Sequence, residues 1–378
     1  MFLVSSLPMW RFQALYDCLS KDSRFDVKIA LFPFITLSQE QQKSSIQQLR
    51  NYFTGRGISF IDLSGIDRPG ARLRNEFKPD ILFYPQPYNH LYWNDLDSLY
   101  FSSSLLCYIP YAMLTASEPW AYKSHLNNIA WRLFYPSETR KDEATSVLFN
   151  RGRNIRVVGE SMADLFSRPM QLDRWKPQEK RKKHIIWAPH FSLSNGYFLH
   201  RDSFTWLSGF MLEIAERYQD QLQFAFKPHP RLLSVLYERP DWGKERADAY
   251  YSRWAAGSNT QLETGDYIDL FKGSDAMIHD SSSFSVEYHF TGKPVLFTAT
   301  DLNPITSILN DFGQAAIQVH YQGKDFDDIT SFLDNVVLKG DDPMKEDRQA
   351  FYNQYLMPPG GKSVAENIYQ EIVSSIRR

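Results

Sequence analysis

Three short segments in the second half of the chain combine hydroxyls, imidazoles and cations in ways that would serve phosphate chemistry. The first, Ser274-Asp275-Ala276-Met277-Ile278-His279-Asp280-Ser281-Ser282-Ser283-Phe284-Ser285-Val286-Glu287, runs from an apolar strand through a polar turn into a helix. Hydroxyls and orphan main-chain N–H groups then gather at one helix N-terminus, an arrangement that favours an anion. Asp280, Ser281, Ser282 and Ser283 are the candidate contacts, and Glu287, about one turn on, is placed to accept hydrogen bonds from a ribose or another polyol. The alternative is a plain capped helix, since Asp and Ser are common caps.

The second segment, Phe224-Ala225-Phe226-Lys227-Pro228-His229-Pro230-Arg231, is a strand that stops at a histidine held between two prolines. Neither proline can pair inside a sheet, so His229 is confined to a strand end. Lys227 and Arg231 flank it, and cations there lower the imidazole pKa and keep the ring neutral until an anion binds. A turn histidine with no task is the competing reading. The third segment, Ile185-Ile186-Trp187-Ala188-Pro189-His190-Phe191-Ser192, repeats the pattern of an apolar run closed by Pro and His. His190 is either a donor-binding residue or a loop histidine packed on Trp187 or Phe191.

These segments need a parallel sheet to bring their ends together. Apolar runs at 184–187, 222–227, 276–279, 295–298 and 315–319 read as its strands, with helices at 203–218, 267–272, 282–290, 327–338, near 346–355, and at 363–376. The first half alternates in the same way, with strands at 1–5, 27–32, 58–61, 81–84, 105–109, 133–135 and 155–158 and helices at 9–19 and 38–53. Strands separated by crossover-length helical segments imply an α/β fold with parallel sheets. No GxGxxG follows the first strand, so dinucleotide binding has no support. Residues 167–183, with two prolines and Glu179-Lys180-Arg181-Lys182-Lys183, read as a linker between an N-terminal domain, 1–166, and a C-terminal domain, 184–378, whose last helices are free to pack back on the first. The expected fold is two α/β domains facing across a cleft. The basic run is a solvated connector or a contact for an anionic membrane surface.

Composition narrows the function. The chain has 378 residues, 43% apolar and 15% aromatic, which excludes a disordered protein and points to two domains. Forty-two basic against 44 acidic residues leave a charge of −2, which removes any general attraction to nucleic acid, so anions must be held at a local site. Cys18 and Cys107 form neither a metal spacing nor a disulfide framework, which fits the cytoplasm. The N-terminus lacks a basic n-region and reads as a strand. The uncharged stretch from Ser98 to Ser117 is broken by serines and Pro110 and reads as non-spanning.

The order of motifs resembles a known family. An apolar strand and Pro, a strand with Lys-x-His-Pro, Ser-Asp-x-x-Ile-x-Asp-x-Ser-Ser with an acid four residues on, then Gly-Lys-Pro-Val-Leu-Phe over residues 184 to 300 is similar to the CDP-glycerol glycerophosphotransferases, which build teichoic-acid-like and capsular polyol-phosphate polymers. The resemblance implies two Rossmann-like domains of GT-B type, with the nucleotide held by the second and no metal or other cofactor. It puts the family histidine on His229, the phosphate-binding serines on Ser282 and Ser283, and the acid on Glu287. Two segments depart from the family. Pro189-His190-Phe191-Ser192 stands where Pro-Thr-Trp-Arg is usual, and Cys107-Tyr108-Ile109-Pro110-Tyr111 stands where a Trp-His-Gly supplies the base.

The resemblance implies attack of an acceptor hydroxyl on the glycerol-side phosphorus of CDP-glycerol or a related CDP-polyol, with CMP leaving and Lys227, His229, Arg231 and the serines neutralising the diphosphate. The acceptor would be a glycan or a lipid-linked polymer, at the inner face of the cell membrane. His90, after the strand 81–84, is the candidate base, with Glu118 and His125 as fallbacks. Asp95-Leu96-Asp97 is formally a DxD but reads as an exposed acidic pair at a helix start, and no metal site is expected. A GT-B glycosyltransferase using a nucleotide sugar and a non-catalytic nucleotide or polyol-phosphate binding protein are the alternatives.

Overall fold

The computed structural model describes residues 1–116, 119–193 and 203–376. The chain forms two compact units. The first comprises Met1–Met113, Glu118–Leu165 and Leu356–Arg378, and the second comprises Leu114–Ser117 and Phe166–Tyr355.

The first unit is built on strands β1 (Phe2–Val4), β2 (Ile29–Leu31), β3 (Ile61–Asp62), β4 (Ile81–Tyr84), β5 (Leu105–Tyr108), β6 (Arg132–Tyr135) and β7 (Ile155–Val157). They pair in the order β3-β2-β1-β4-β5-β6-β7, parallel throughout. Both faces are apolar, as a parallel sheet covered by helices requires. Leu3, Leu82, Leu106 and Leu133 face one side, while Phe2 and Phe83 stack on the other with centroids 4.5 Å apart. The helix Val364–Ile376 completes this unit by packing on the helix Gln13–Ser20. Asp164 accepts from the first two N–H groups of that last helix at 2.8 Å each, and Glu371 joins it to Arg132 and Arg156 on the sheet.

The second unit holds β8 (Lys183–Ala188), β9 (Leu222–Phe226), β10 (Thr260–Leu262), β11 (Ala276–His279), β12 (Val295–Thr298) and β13 (Tyr321–Gly323), in the order β10-β9-β8-β11-β12-β13, again all parallel. Alternate residues feed two cores. Ile185, Trp187, Phe224, Phe226 and Ile278 pack under the helices Ser203–Arg217 and Gly243–Ala256, and Ile186, Ala225, Met277 and Val295 pack against Trp175, Phe271 and Tyr288. Residues 167–183 run along this unit, where the buried Trp175 stacks on His184 at 4.1 Å. Strand order reverses between β8 and β11, and ligands of such sheets bind beyond the carboxyl ends at that point.

Several elements differ from the sequence reading. Residues 315–318 belong to a helix, Asp311–Gln318, with Val319 at its C-cap, because Asn310 caps its start by accepting from Gly313 N at 2.9 Å and its apolar residues Phe312, Ala316 and Ile317 follow a helical spacing. The last strand starts at Tyr321. The helix expected over 282–290 is α-helical only over Phe284–Glu287 and tightens to a 3-10 turn at Tyr288–Thr291, so its macrodipole is small. Asp95 and Asp97 are not an exposed pair. Asp95 accepts from Ala71 N at 2.9 Å, and Asp97 caps the 3-10 turn Ser98–Phe101. Among the described residues no helix is long and apolar enough to cross a membrane, and no group of His, Cys, Asp and Glu could hold a metal ion.

Candidate active site

Because β8 lies between β9 and β11 and all three run in one direction, their carboxyl ends share one sheet edge. His190, His229 and the Asp280–Ser283 turn are therefore neighbours. The His190 and His229 rings meet edge to face at 4.9 Å. Phe191 sits against both, at 4.4 and 4.3 Å, and the Arg231 guanidinium lies 4.3 Å over its face. Trp187 turns into the core instead, against Phe226 and Trp254.

The two imidazoles are locked in the same way. Ser192 N donates to His190 Nδ1 at 3.3 Å, and Arg231 N donates to His229 Nδ1 at 3.1 Å. An Nδ1 that accepts carries no proton, so in each neutral ring the proton sits on Nε2. The prolines fix the loops: His229 N donates to Pro189 O at 3.0 Å, tying the second loop to the first. Burial, reinforced by Arg231 and Lys227, pulls the His229 pKa down to about 4, so the ring is neutral at pH 7 and offers an N–H rather than a charge. Burial also lowers Lys227 to about 8, against the pull of Glu263 and Asp266. Its ammonium donates to Gly265 O at 2.9 Å and lies 5.6 Å from the Tyr267 ring centre.

Asp280 is fully buried, and its oxygens accept from His190 N and Ser203 Oγ, each at 2.6 Å. It braces the β8 loop across the point where strand order reverses. Of the serines that follow, Ser281 is buried, Ser282 half-buried and Ser283 exposed. Ser283 stands at the N-cap position without a capping bond, and among the described residues none of the three hydroxyls has a partner. The plain-cap alternative therefore lacks its hydrogen bond. Glu287 is buried and accepts from Tyr267 OH at 2.5 Å, which links it through the tyrosine to Lys227.

In the first unit, His90 is exposed on the 3-10 turn Asn89–Leu91 after β4, with its ring 6.2 Å from that of Tyr88. Tyr92, its other sequence neighbour, is buried and donates to Gln86 O. His125 is exposed at the start of the helix His125–Ile129, and Glu118 lies outside the described residues. Ser203 and Tyr267 are site residues that sequence reasoning missed, whereas Phe191, named there as a packing partner of His190, does sit against that ring. Both reach the site through contacts made over long sequence separations: Ser203 through Asp280 and Tyr267 through Glu287.

The model of the family described as CDP-glycerol:poly(glycerophosphate) glycerophosphotransferase matches residues 170–374. The chain belongs to this family. The match takes in all three strand ends of this glycerophosphotransferase-like enzyme. A search of curated protein sequences gives no significant match. Among solved structures, the UDP-GlcNAc 2-epimerase of Neisseria meningitidis bound to UDP-GlcNAc is 15% identical with a TM-score of 0.63 over 99% of each chain. The S. aureus MnaA–UDP structure is 14% identical with a TM-score of 0.62, covering 100% of this chain and 96% of its own. The wall teichoic acid polymerase TagF soaked with CDPG is 12% identical with a TM-score of 0.59, over 100% of this chain and 90% of that one. These likenesses extend over the whole chain and give the glycerophosphotransferase a GT-B type fold.

Proposed function

We propose that the protein transfers a glycerol phosphate, or a related polyol phosphate, from a CDP-polyol donor to a hydroxyl of a cell-surface glycan or polymer, releasing CMP. The observation that carries this reading is the coincidence of the family match with one sheet edge that gathers two Nε2–H imidazoles, two cations and three hydroxyls without partners among the described residues. The acceptor oxygen attacks the phosphorus next to glycerol, a new P–O bond forms, and the bond from that phosphorus to the oxygen of CMP breaks. The acceptor proton passes to a base, for which we propose His90.

Such a reaction needs positioning and charge stabilisation more than covalent help. His229 Nε2–H and the Ser281, Ser282 and Ser283 hydroxyls donate to the diphosphate, with Lys227 and Arg231 supplying the charge. His190 serves beside His229. Asp280 holds the His190 loop and Glu287 holds Tyr267 under Lys227, so both act on the donor through neighbours, although Glu287 also lies within the segment for ribose contact. In this reading the reaction runs in the cytoplasm at the inner membrane face, with the basic run at 180–183 as the surface contact. The test is CMP release on incubation with CDP-glycerol and a polymer acceptor. Release only from a nucleotide sugar would replace this reading with a glycosyltransferase, and binding without release would make the protein a non-catalytic binder.

A further inference from the structure

His279, the last residue of β11, repeats the locking seen at the two neighbouring strand ends. Ser281 N donates to its Nδ1 at 3.1 Å, so its proton is on Nε2. At this strand end the Nε2 meets a third element, lying 3.2 Å from Nε2 of His320. Two nitrogens at that distance share one hydrogen. The far end of the chain of bonds fixes which one owns it, because His320 Nδ1 lies 2.7 Å from Ala316 O, a pure acceptor. Nδ1 of His320 must carry a proton, leaving its Nε2 bare. The two ends of the chain thus agree on one arrangement: Ser281 N–H to His279, His279 Nε2–H to His320, His320 Nδ1–H to Ala316 O.

From this geometry we infer that His279 and His320 are positioning residues for the donor site: a relay of two neutral imidazoles of opposite tautomer that holds the serine turn against the helix Asp311–Gln318. The inference rests on the proposed function, since it assigns a purpose to the turn that the diphosphate would occupy. Both rings are fully enclosed, at 0% and 2% exposure, so the relay is shielded from water. Thr298 Oγ1 donates to His279 O at 3.2 Å and Asp280 is held on both oxygens, so the peptide entering the serines is held at consecutive residues. The backbone leading into Ser281, Ser282 and Ser283 is thereby held in place, which spares part of the ordering cost when the donor binds. Burial keeps His320 neutral by lowering its pKa to about 3. His289 supplies an internal control. It is equally buried, lies 4.7 Å from His320 and faces the same Ala316 carbonyl, yet neither of its nitrogens makes a hydrogen bond of full geometry among the described residues.

The test is titration with CDP, paired with nitrogen-15 NMR of histidine-labelled protein. His320→Leu is expected to weaken CDP binding about tenfold, the worth of one buried hydrogen bond. His320→Gln, which still offers an acceptor oxygen to His279, should restore it, and His289→Leu should leave it unchanged. NMR at pH 7 should find His279 protonated on Nε2 and His320 on Nδ1. Equal CDP affinity in wild type and His320→Leu, a loss shared by His289→Leu, or identical tautomers at the two rings would each overturn the relay. If His320→Leu does not fold, the glutamine variant and the tautomers decide. A wild-type protein that ignores CDP would remove the functional reading, while the tautomers still test the hydrogen-bond chain by itself.

Discussion

At the scale of single residues, the central actor we propose is a neutral histidine. His229 needs no charge to serve a diphosphate, because the N–H of Arg231 already forces its proton onto Nε2. His229→Ala is therefore expected to cut CMP release by at least ~100-fold, as loss of one preorganised donor does, with little change in melting; full turnover would remove the assignment. Ser282→Ala combined with Ser283→Ala should weaken CDP binding roughly tenfold or more, while stability stays within about 0.5 kcal/mol because neither hydroxyl holds the fold. Lys227 gives two opposite pH trends from one group. Its folded pKa of about 8 lies below the usual 10.5, so the unfolded chain holds the extra proton between those values. The stability contributed by this residue rises with pH through that window. CDP affinity, if the proposed role of the ammonium holds, should instead be full below about pH 8 and decline above it; titrations across pH 7 to 10 would show both. His190, His229 and the serines were visible in the sequence because proline, histidine and serine punctuate strand ends. Ser203, Tyr267 and the His320 partner of His279 were not, since each acts through a contact that only the folded sheet creates.

At the scale of elements, apolar runs identified most strands because a parallel strand buried on both faces must be apolar at successive residues. β4, β11 and β12 begin and end where the sequence pattern does. The pattern failed where a run was short or its period was helical. β10 has three residues, two of them polar, and the sequence reading assigns no strand there; it assigns no helix to Leu232–Glu238 or Gly243–Ala256 either. Residues 315–319 were apolar enough to pass for a strand, but the cap at Asn310 decides for a helix. Strand ends depend on the core beneath them. Trp187 is fully buried between Phe204, Phe226 and Trp254, and Trp187→Ala should cost about 3–5 kcal/mol through lost contact and the cavity left behind. Chemical denaturation would measure it, and a cost under about 1 kcal/mol would mean that β8 is not the sheet's anchor.

At the scale of the whole molecule, two parallel sheets, alike in order over six strands with a seventh added to the first, make up the GT-B type fold of a glycerophosphotransferase family member. The family segment was legible in the sequence because its motifs mark the ends of adjacent strands in one sheet. The proposed acceptor side was less legible: the first unit lacks the Trp-His-Gly usual in the family, and His90 is named only by its place after β4. The claim on which the rest depends is that the carboxyl edge of the second sheet holds the diphosphate. A crystal structure with CDP-glycerol tests it most directly. The diphosphate is expected within about 3 Å of His229 Nε2 and of at least one hydroxyl among Ser281, Ser282 and Ser283. A diphosphate bound anywhere else, with these groups facing solvent, would contradict it.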